Sequence, residues 1–256
     1  MTPERLSVKL LVLIMKNLLK FKDANGKLKK MAKKLGLKLK TFTLPAGYTC
    51  PGAKDCLAYA DRKTGKVKDG KETEFRCFMA SLEATFPSLR AMVWENLEKI
   101  RAALKVGSIE CADLICESLP KKFDVMRVHV GGDYFSEEYL LAWIEVAKRN
   151  PSKVFYSYSK SLHLMKRHAL PSNLVLTASR GGKFDKLIDL HGWKEAVVVF
   201  SEEEAEQKGL EIDHDDEHAA FGKEDFALLI HGTQPKGSAA SEALKEVKRL
   251  AKLASV

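Results

Sequence analysis

Three cysteines, Cys50, Cys56 and Cys77, stand in the first third of the chain, with five residues and then twenty between them. Cys50 and Cys56 bracket the stiff turn Pro51-Gly52, a local geometry that brings two thiolates round one ion. Cys77 follows an excursion whose turn signals, Thr64-Gly65 and Asp69-Gly70, let the chain fold back and mark a small hairpin. Three thiolates suit an iron–sulfur cluster with one open iron, or zinc completed by a histidine or carboxylate. The spacing matches neither a zinc ribbon nor a ferredoxin pattern. Cys111 and Cys116, five apart in an expected helix, read as buried thiols.

Four polar loops form a second constellation: His129-Val-Gly131-Gly132-Asp133, Tyr158-Ser159-Lys160-Ser161, Thr177-Ala-Ser-Arg180-Gly181-Gly182, and His231-Gly-Thr233-Gln234-Pro-Lys236-Gly-Ser238. Glycines permit close backbone approach, and helix N-termini offer free amides to an anion. A phosphate, a carboxylate or a sulfonium-bearing amino acid suits such a rim. In that reading Asp133 receives an ammonium group, Lys160 and Arg180 hold carboxylate or phosphate, and His129 or His231 handles protons. Gly131, Gly132, Ser159, Gly181, Thr233, Gln234, Lys236 and Ser238 line the ligand. The plainer reading is that glycine and serine only make tight turns. A third, weaker cluster is Asp213, His214 and His218, read either as a divalent-metal or acid/base set or as a solvated acidic loop.

The elements that must position these residues follow from periodicity. Apolar runs at 125–130, 154–159, 174–179, 196–200 and 226–231 read as strands. They alternate with helices at 136–149, about 162–168, about 184–191 and 202–208, and a closing helix runs from Ser238 to about Leu253. Ser136 is placed to cap its helix, with Glu137 and Glu138 in the first turn. Ser201 and Glu204 form a capping box. Residues 79–104 read as two helices broken near Pro87, and 108–119 as another. Strands alternating with helices imply an α/β fold with a parallel sheet. A partial or irregular (β/α) barrel is the first expectation, and an open doubly wound sheet the second. Reactive groups then gather where strands end and helices begin.

Residues 1–40 read as a basic N-terminal segment, with an amphipathic helix over Arg5–Phe21 and a helix or strand pair over Lys27–Lys40. Residues 41–256 read as a single α/β domain, in which 41–120 hold the cysteine loop and helices and 125–256 the βα repeats. The first 40 residues carry twelve of the 43 Lys and Arg against two of the 34 acids, a charge of +10, while the remainder carries −1. That segment attracts phosphate backbones, and the alternative is a solvated helix and linker. No apolar run reaches the ~18 residues needed to span a bilayer. Leu10–Met15 is flanked by lysines and lacks a cleavage site, so no signal peptide is read and the expected compartment is the cytoplasm.

The blocks Leu44-Pro-Ala-Gly-Tyr-Thr-Cys-Pro-Gly-Ala, Glu74-Phe-Arg-Cys-Phe, Val128-His-Val-Gly-Gly-Asp-Tyr-Phe, Phe155-Tyr-Ser-Tyr-Ser-Lys-Ser-Leu, Leu176-Thr-Ala-Ser-Arg-Gly-Gly, Ile212-Asp-His-Asp-Asp-Glu-His-Ala and Leu229-Ile-His-Gly-Thr-Gln-Pro-Lys-Gly-Ser occur in order. Together they resemble the phage gene product 88 family. The resemblance implies a phage or prophage origin, and hence a bacterial host cytoplasm, and assigns no activity. A weaker resemblance is to radical SAM enzymes, whose cysteines precede a barrel and hold a 4Fe–4S cluster, and whose Gly-Gly-Glu strand end receives S-adenosylmethionine. Val130-Gly-Gly-Asp133 is similar to that feature, with aspartate for glutamate and with Cys77 remote from the other two cysteines. That resemblance implies a 4Fe–4S cluster and S-adenosylmethionine, with zinc as the alternative metal. The competing expectation is a nucleic-acid-associated phage protein with a structural zinc, binding through residues 1–40. A third is a host-interaction protein with a decayed site.

Overall fold

The computed structural model describes residues 18–253. The helix expected over Arg5–Phe21 lies outside the described residues except for its last four, which are not helical. The chain then forms β1 (Lys22–Asp23), α1 (Gly26–Leu35), β2 (Leu39–Thr41), β3 (Ala58–Ala60), β4 (Val67–Asp69), α2 (Phe78–Thr85), α3 (Pro87–Leu104) and α4 (Ser108–Ser118). Six βα steps follow, built from β5 (Val125–Arg127), α5 (Glu137–Arg149), β6 (Val154–Ser159), α6 (Leu162–Met165), β7 (Leu174–Ser179), α7 (Lys186–His191), β8 (Glu195–Val199), α8 (Glu202–Gln207), β9 (Glu211–Ile212), α9 (Glu217–Phe221), β10 (Phe226–Leu229) and α10 (Ala239–Leu253). No described helix is long and apolar enough to cross a membrane.

Local chemistry sets several boundaries where the sequence places them. Pro87 opens α3 immediately after α2 because its ring is tolerated only at a helix start. Ser136 caps α5 by accepting from the Tyr139 amide at 3.2 Å, and Ser201 caps α8 by accepting from Glu204 at 3.1 Å. The turn at Thr64-Gly65 joins β3 and β4 into an antiparallel hairpin. Two boundaries differ from expectation. β5 ends at Arg127 because His129 takes a positive φ of 65°, which breaks the strand. Glu211–Ile212, expected to be loop, pairs in parallel with β10 as an edge strand.

The eight-stranded sheet runs β1-β2-β5-β6-β7-β8-β10-β9, with every described pairing parallel except β1 with β2. Among the described residues no pairing joins β1 to β9, so the sheet is an open, mostly parallel α/β sheet with ten helices. From β2 to β10 the strands are ordered as they occur in the chain. Only β9 steps beyond β10 and returns. A right-handed crossover that reverses direction must pass over the opposite face, and α9 does so.

The pleat divides the core accordingly. On one face Leu97, Ile100, Ile115 and Trp143 of α3, α4 and α5 pack on Met126, Phe155 and Leu174. On the other, Leu28 and Met31 of α1 and Ala219 and Ala220 of α9 cover Val125, Tyr156 and Phe226. Each large apolar side chain so buried contributes roughly 1.5–3 kcal/mol. Thus α1, expected as part of a separate basic segment, is seated on the sheet through its apolar side, while Lys29, Lys30 and Lys33 remain exposed.

Candidate functional site

The loop carrying Cys50 and Cys56 leaves the C-terminal end of β2 and lies across the strand-end loops of β5, β6 and β7. Leu44 donates to the Gly131 carbonyl at 2.9 Å, Lys183 to Gly52 at 2.9 Å, and Asp55 to Gly181 at 3.0 Å, while Ala53 bridges Gly182. Glycine is needed for this approach. A Cβ at Gly52 would stand 2.0 Å from the Lys160 carbonyl oxygen. One at Gly132, whose φ is +86°, would stand 2.8 Å from Leu44. Gly131 abuts Met79, and Gly181 (φ +91°) abuts Asp55.

Cys77 stands immediately before α2 and is reached from a different loop. The Gln234 carboxamide accepts from the Arg76 amide at 2.7 Å and donates to the Arg76 carbonyl at 3.2 Å and the His231 carbonyl at 3.0 Å. The loop after β10 thereby fixes the backbone beside Cys77. All three cysteines are unbridged and partly accessible, yet protein crowds each thiol, as in a recess. Burial is the main cause that raises all three thiols, Cys77 to about 12. Cys50 is raised further by the charges of Asp133, Cys77 and Cys56, and Cys77 by that of Cys56. Lys160 pulls the Cys56 thiol in the opposite direction. These residues therefore sense one another's charge at one end of the sheet.

Asp133 and Lys160 are engaged by the fold. One Asp133 oxygen accepts from the Tyr134 amide and the Ser159 hydroxyl, each at 2.7 Å. The other accepts from the amides of Lys160 and Ser161 at 2.8 and 3.1 Å. Burial raises its carboxyl and these four donors oppose the rise. The Lys160 ammonium donates to the Ser179 carbonyl and hydroxyl at 2.9 and 3.0 Å, and to the Arg180 carbonyl. The two side chains thus clamp the ends of β5, β6 and β7 into one rim. Arg180 is turned outward, to Glu195 and Asp189, and lines an open cleft of about 310 Å³ away from the thiols.

His129 is a core residue. Its Nε2 meets the Tyr139 hydroxyl at 2.9 Å, its ring is packed among Tyr134, Tyr139 and Trp143, and burial depresses it to about 3. His231 is exposed and lies against Phe78, with ring centroids 4.7 Å apart. It sits in a recess crowded enough to depress its imidazole to about 4, first by desolvation and then by Lys27 and Arg127. Thr233 and Gln234 line a cleft of about 420 Å³ beside Lys245 and Lys248 of α10. Lys236 is exposed, and Ser238 accepts from the Ser241 amide at the start of α10.

The acidic cluster is used locally. Asp213 accepts from the amides of Asp215, Asp216 and Ala219 at 3.0, 2.6 and 3.3 Å, His218 pairs with Glu211 at 3.1 Å, and His214 is exposed. Cys111 is buried in α4, and Cys116 accepts from Asn150 at 3.8 Å. Among the described residues, no group of three or more His, Cys, Asp or Glu is gathered closely enough to hold a single metal ion.

Sequence reasoning gave no site role to Arg127, Tyr158, Asp216 or Lys27, which meet on the face covered by α1 and α9. The signal was a charge inside the apolar strand Val125-Met-Arg-Val, since a strand covered on both faces tolerates a cation only with partners. A family model described as Gene product 88 matches residues 17–249. Neither curated proteins nor solved structures contain a significant match to the chain.

Proposed function

The chain belongs to the Gene product 88 family, and from its geometry we propose an iron–sulfur enzyme of radical-SAM-like architecture, acting on a small anionic or amino-acid-like ligand. The observation that carries this reading is that the segments bearing Cys50, Cys56 and Cys77 all close onto the clamped ends of β5, β6 and β7, with Thr49 and Met79 against Gly132 and Gly131 and with Gly52 and Asp55 against Lys160 and Gly181. The cysteine loop follows the first parallel strand and Gly131-Gly132-Asp133 follows the second, and β2, β5, β6, β7, β8 and β10 keep chain order within the open sheet.

The donor set fits such a group. Three crowded thiols, each raised by burial, need a cation beside them before they deprotonate. Cys50, Cys56 and Cys77 would hold the cluster. When bound, it supplies a single electron and an iron with an open position. Asp133 and Lys160 keep the rim rigid. Gly131 and Gly132 let the cysteine-bearing segments close onto the rim, since Met79 and Leu44 fill the space a Cβ would take. Purification without oxygen, followed by iron, sulfide and visible absorbance, is expected to show a coloured protein whose iron is lost in Cys50→Ala, Cys56→Ala and Cys77→Ala. A colourless protein containing stoichiometric zinc would overturn the cluster.

A second reading rests on Lys29, Lys30 and Lys33, which stand exposed on the outer side of α1. It is a nucleic-acid-associated protein that contacts phosphate through residues 1–40, with the cysteines holding structural zinc. Salt-sensitive binding to a DNA or RNA duplex, weakened by neutralising these lysines, is its expected signature.

A further inference from the structure

The face of the sheet covered by α1 and α9 holds charge that the fold does not fully pair. The Arg127 guanidinium, at the end of β5, lies 4.9 Å over the Tyr158 ring of β6 and pairs with the Asp216 carboxylate. Asp216 also accepts from the Tyr156 hydroxyl at 3.1 Å and faces the Lys27 ammonium at 2.8 Å. Two cations therefore share one carboxylate, since the neighbouring Asp213 is taken by backbone amides. Yet Arg127 Nε and the Tyr158 hydroxyl are buried with no hydrogen-bond partner among the described residues, as is Asp216 Oδ1, which only the Lys27 ammonium faces. A buried donor left unmade costs ~1–3 kcal/mol, and more when it is charged, so folds normally pair such groups. Two unpaired donors stacked together and flanked by a second cation form a receptor for an acceptor supplied from outside.

The cations reach the surface although Arg127 Nε and the Tyr158 hydroxyl do not. The Lys27 side chain is 33% exposed and that of Arg127 12% exposed. His231, which feels the charge of both cations, is open to solvent and packs on Phe78, the residue after Cys77. We infer that Arg127, Tyr158 and Lys27 bind an oxyanion, a carboxylate or phosphate carried by a small ligand that enters past His231 towards the thiols. This assigns the anion-holding role to strand residues on the covered face, where Lys160 and Arg180 are already engaged by the fold. For its place beside a cluster the inference rests on the reading above. The anion site itself does not.

The test uses the purified full chain, titrated with inorganic phosphate and separately with acetate, each against chloride at matched ionic strength. Thermal unfolding and calorimetry follow binding, and iron is measured in parallel. A saturable stabilisation by either anion, weakened about tenfold or more in Arg127→Lys and in Tyr158→Phe, is expected. A response to phosphate alone identifies a phosphate-bearing ligand, and a response to acetate a carboxylate. No saturable response, or one unchanged in both variants, overturns the inference. If Arg127→Lys does not fold, an unchanged response in Tyr158→Phe alone overturns it. Anion binding in a protein without iron removes the cluster reading and leaves this site standing.

Discussion

The side chain of Gln234 is hydrogen-bonded to both the amide and the carbonyl of Arg76, 158 residues earlier in the chain. A carboxamide matches the donor and acceptor of an extended backbone, so Gln234 acts as a short strand partner for the residue before Cys77. Gln234→Ala leaves both groups without a partner in a half-buried setting. The expected outcomes are a loss of ~1–3 kcal/mol in denaturant unfolding and, on the proposed cluster reading, a fall in iron per chain, because Cys77 is no longer held.

Gly52 and Gly132 are where the cysteine loop meets the rim. At Gly52 the obstacle is backbone, the Lys160 carbonyl, which cannot swing aside. Gly52→Ala is therefore expected to destabilise by ~2 kcal/mol or more and, on the proposed cluster reading, to lower iron occupancy, with strain and overpacking acting together. Gly192, with open space round its Cβ position, carries the left-handed cost alone, and Gly192→Ala is expected to lose only ~1 kcal/mol and no iron. Equilibrium unfolding with metal analysis separates the two.

Asp133 and Arg180 make opposite predictions although both stand in the polar loops. Asp133→Asn retains one acceptor oxygen for four buried donors and turns an amide group towards N–H groups. A loss of ~2–4 kcal/mol is expected. Arg180→Ala removes partly exposed ion pairs to Asp189 and Glu195 and is expected to cost ~1 kcal/mol or less. Thermal unfolding of the two variants checks the contrast.

Glu83 gives a pH dependence of known sign. It is fully buried, one oxygen accepts from the Ala46 amide at 2.8 Å, the other has no partner, and burial raises its carboxyl to about 7. The unfolded chain releases this proton near pH 4.5 and the folded chain only near 7. Folding therefore loses stability as pH rises through that window, by up to ~1.4 kcal/mol per pH unit. The stability difference between Glu83→Gln and the parent is expected to move in favour of the variant from pH 4.5 to 7. A difference that is flat with pH would show that Glu83 ionises normally.

Period, turn chemistry and caps made most elements legible in the sequence alone. The βα repeats from Val125, the cap at Ser136, the break at Pro87 and the Thr64-Gly65 hairpin all depend on neighbours within a few residues. The family was legible too, because its blocks lie in order along the chain. The edge strand Glu211–Ile212 was not, since only its pairing with β10 makes two residues a strand.

By itself the sequence determined that cysteines, glycine loops and cations would collect where parallel strands end, because alternation of strand and helix forces that end to be shared. Only the tertiary structure decided which of those groups remain available. Asp133 and Lys160 became clamps, Arg180 turned to Glu195, His129 entered the aromatic core, and Arg127 and Tyr158 were left without full partners. A side chain's partner is whatever the fold brings opposite it, often from more than a hundred residues away, and no local pattern encodes that meeting.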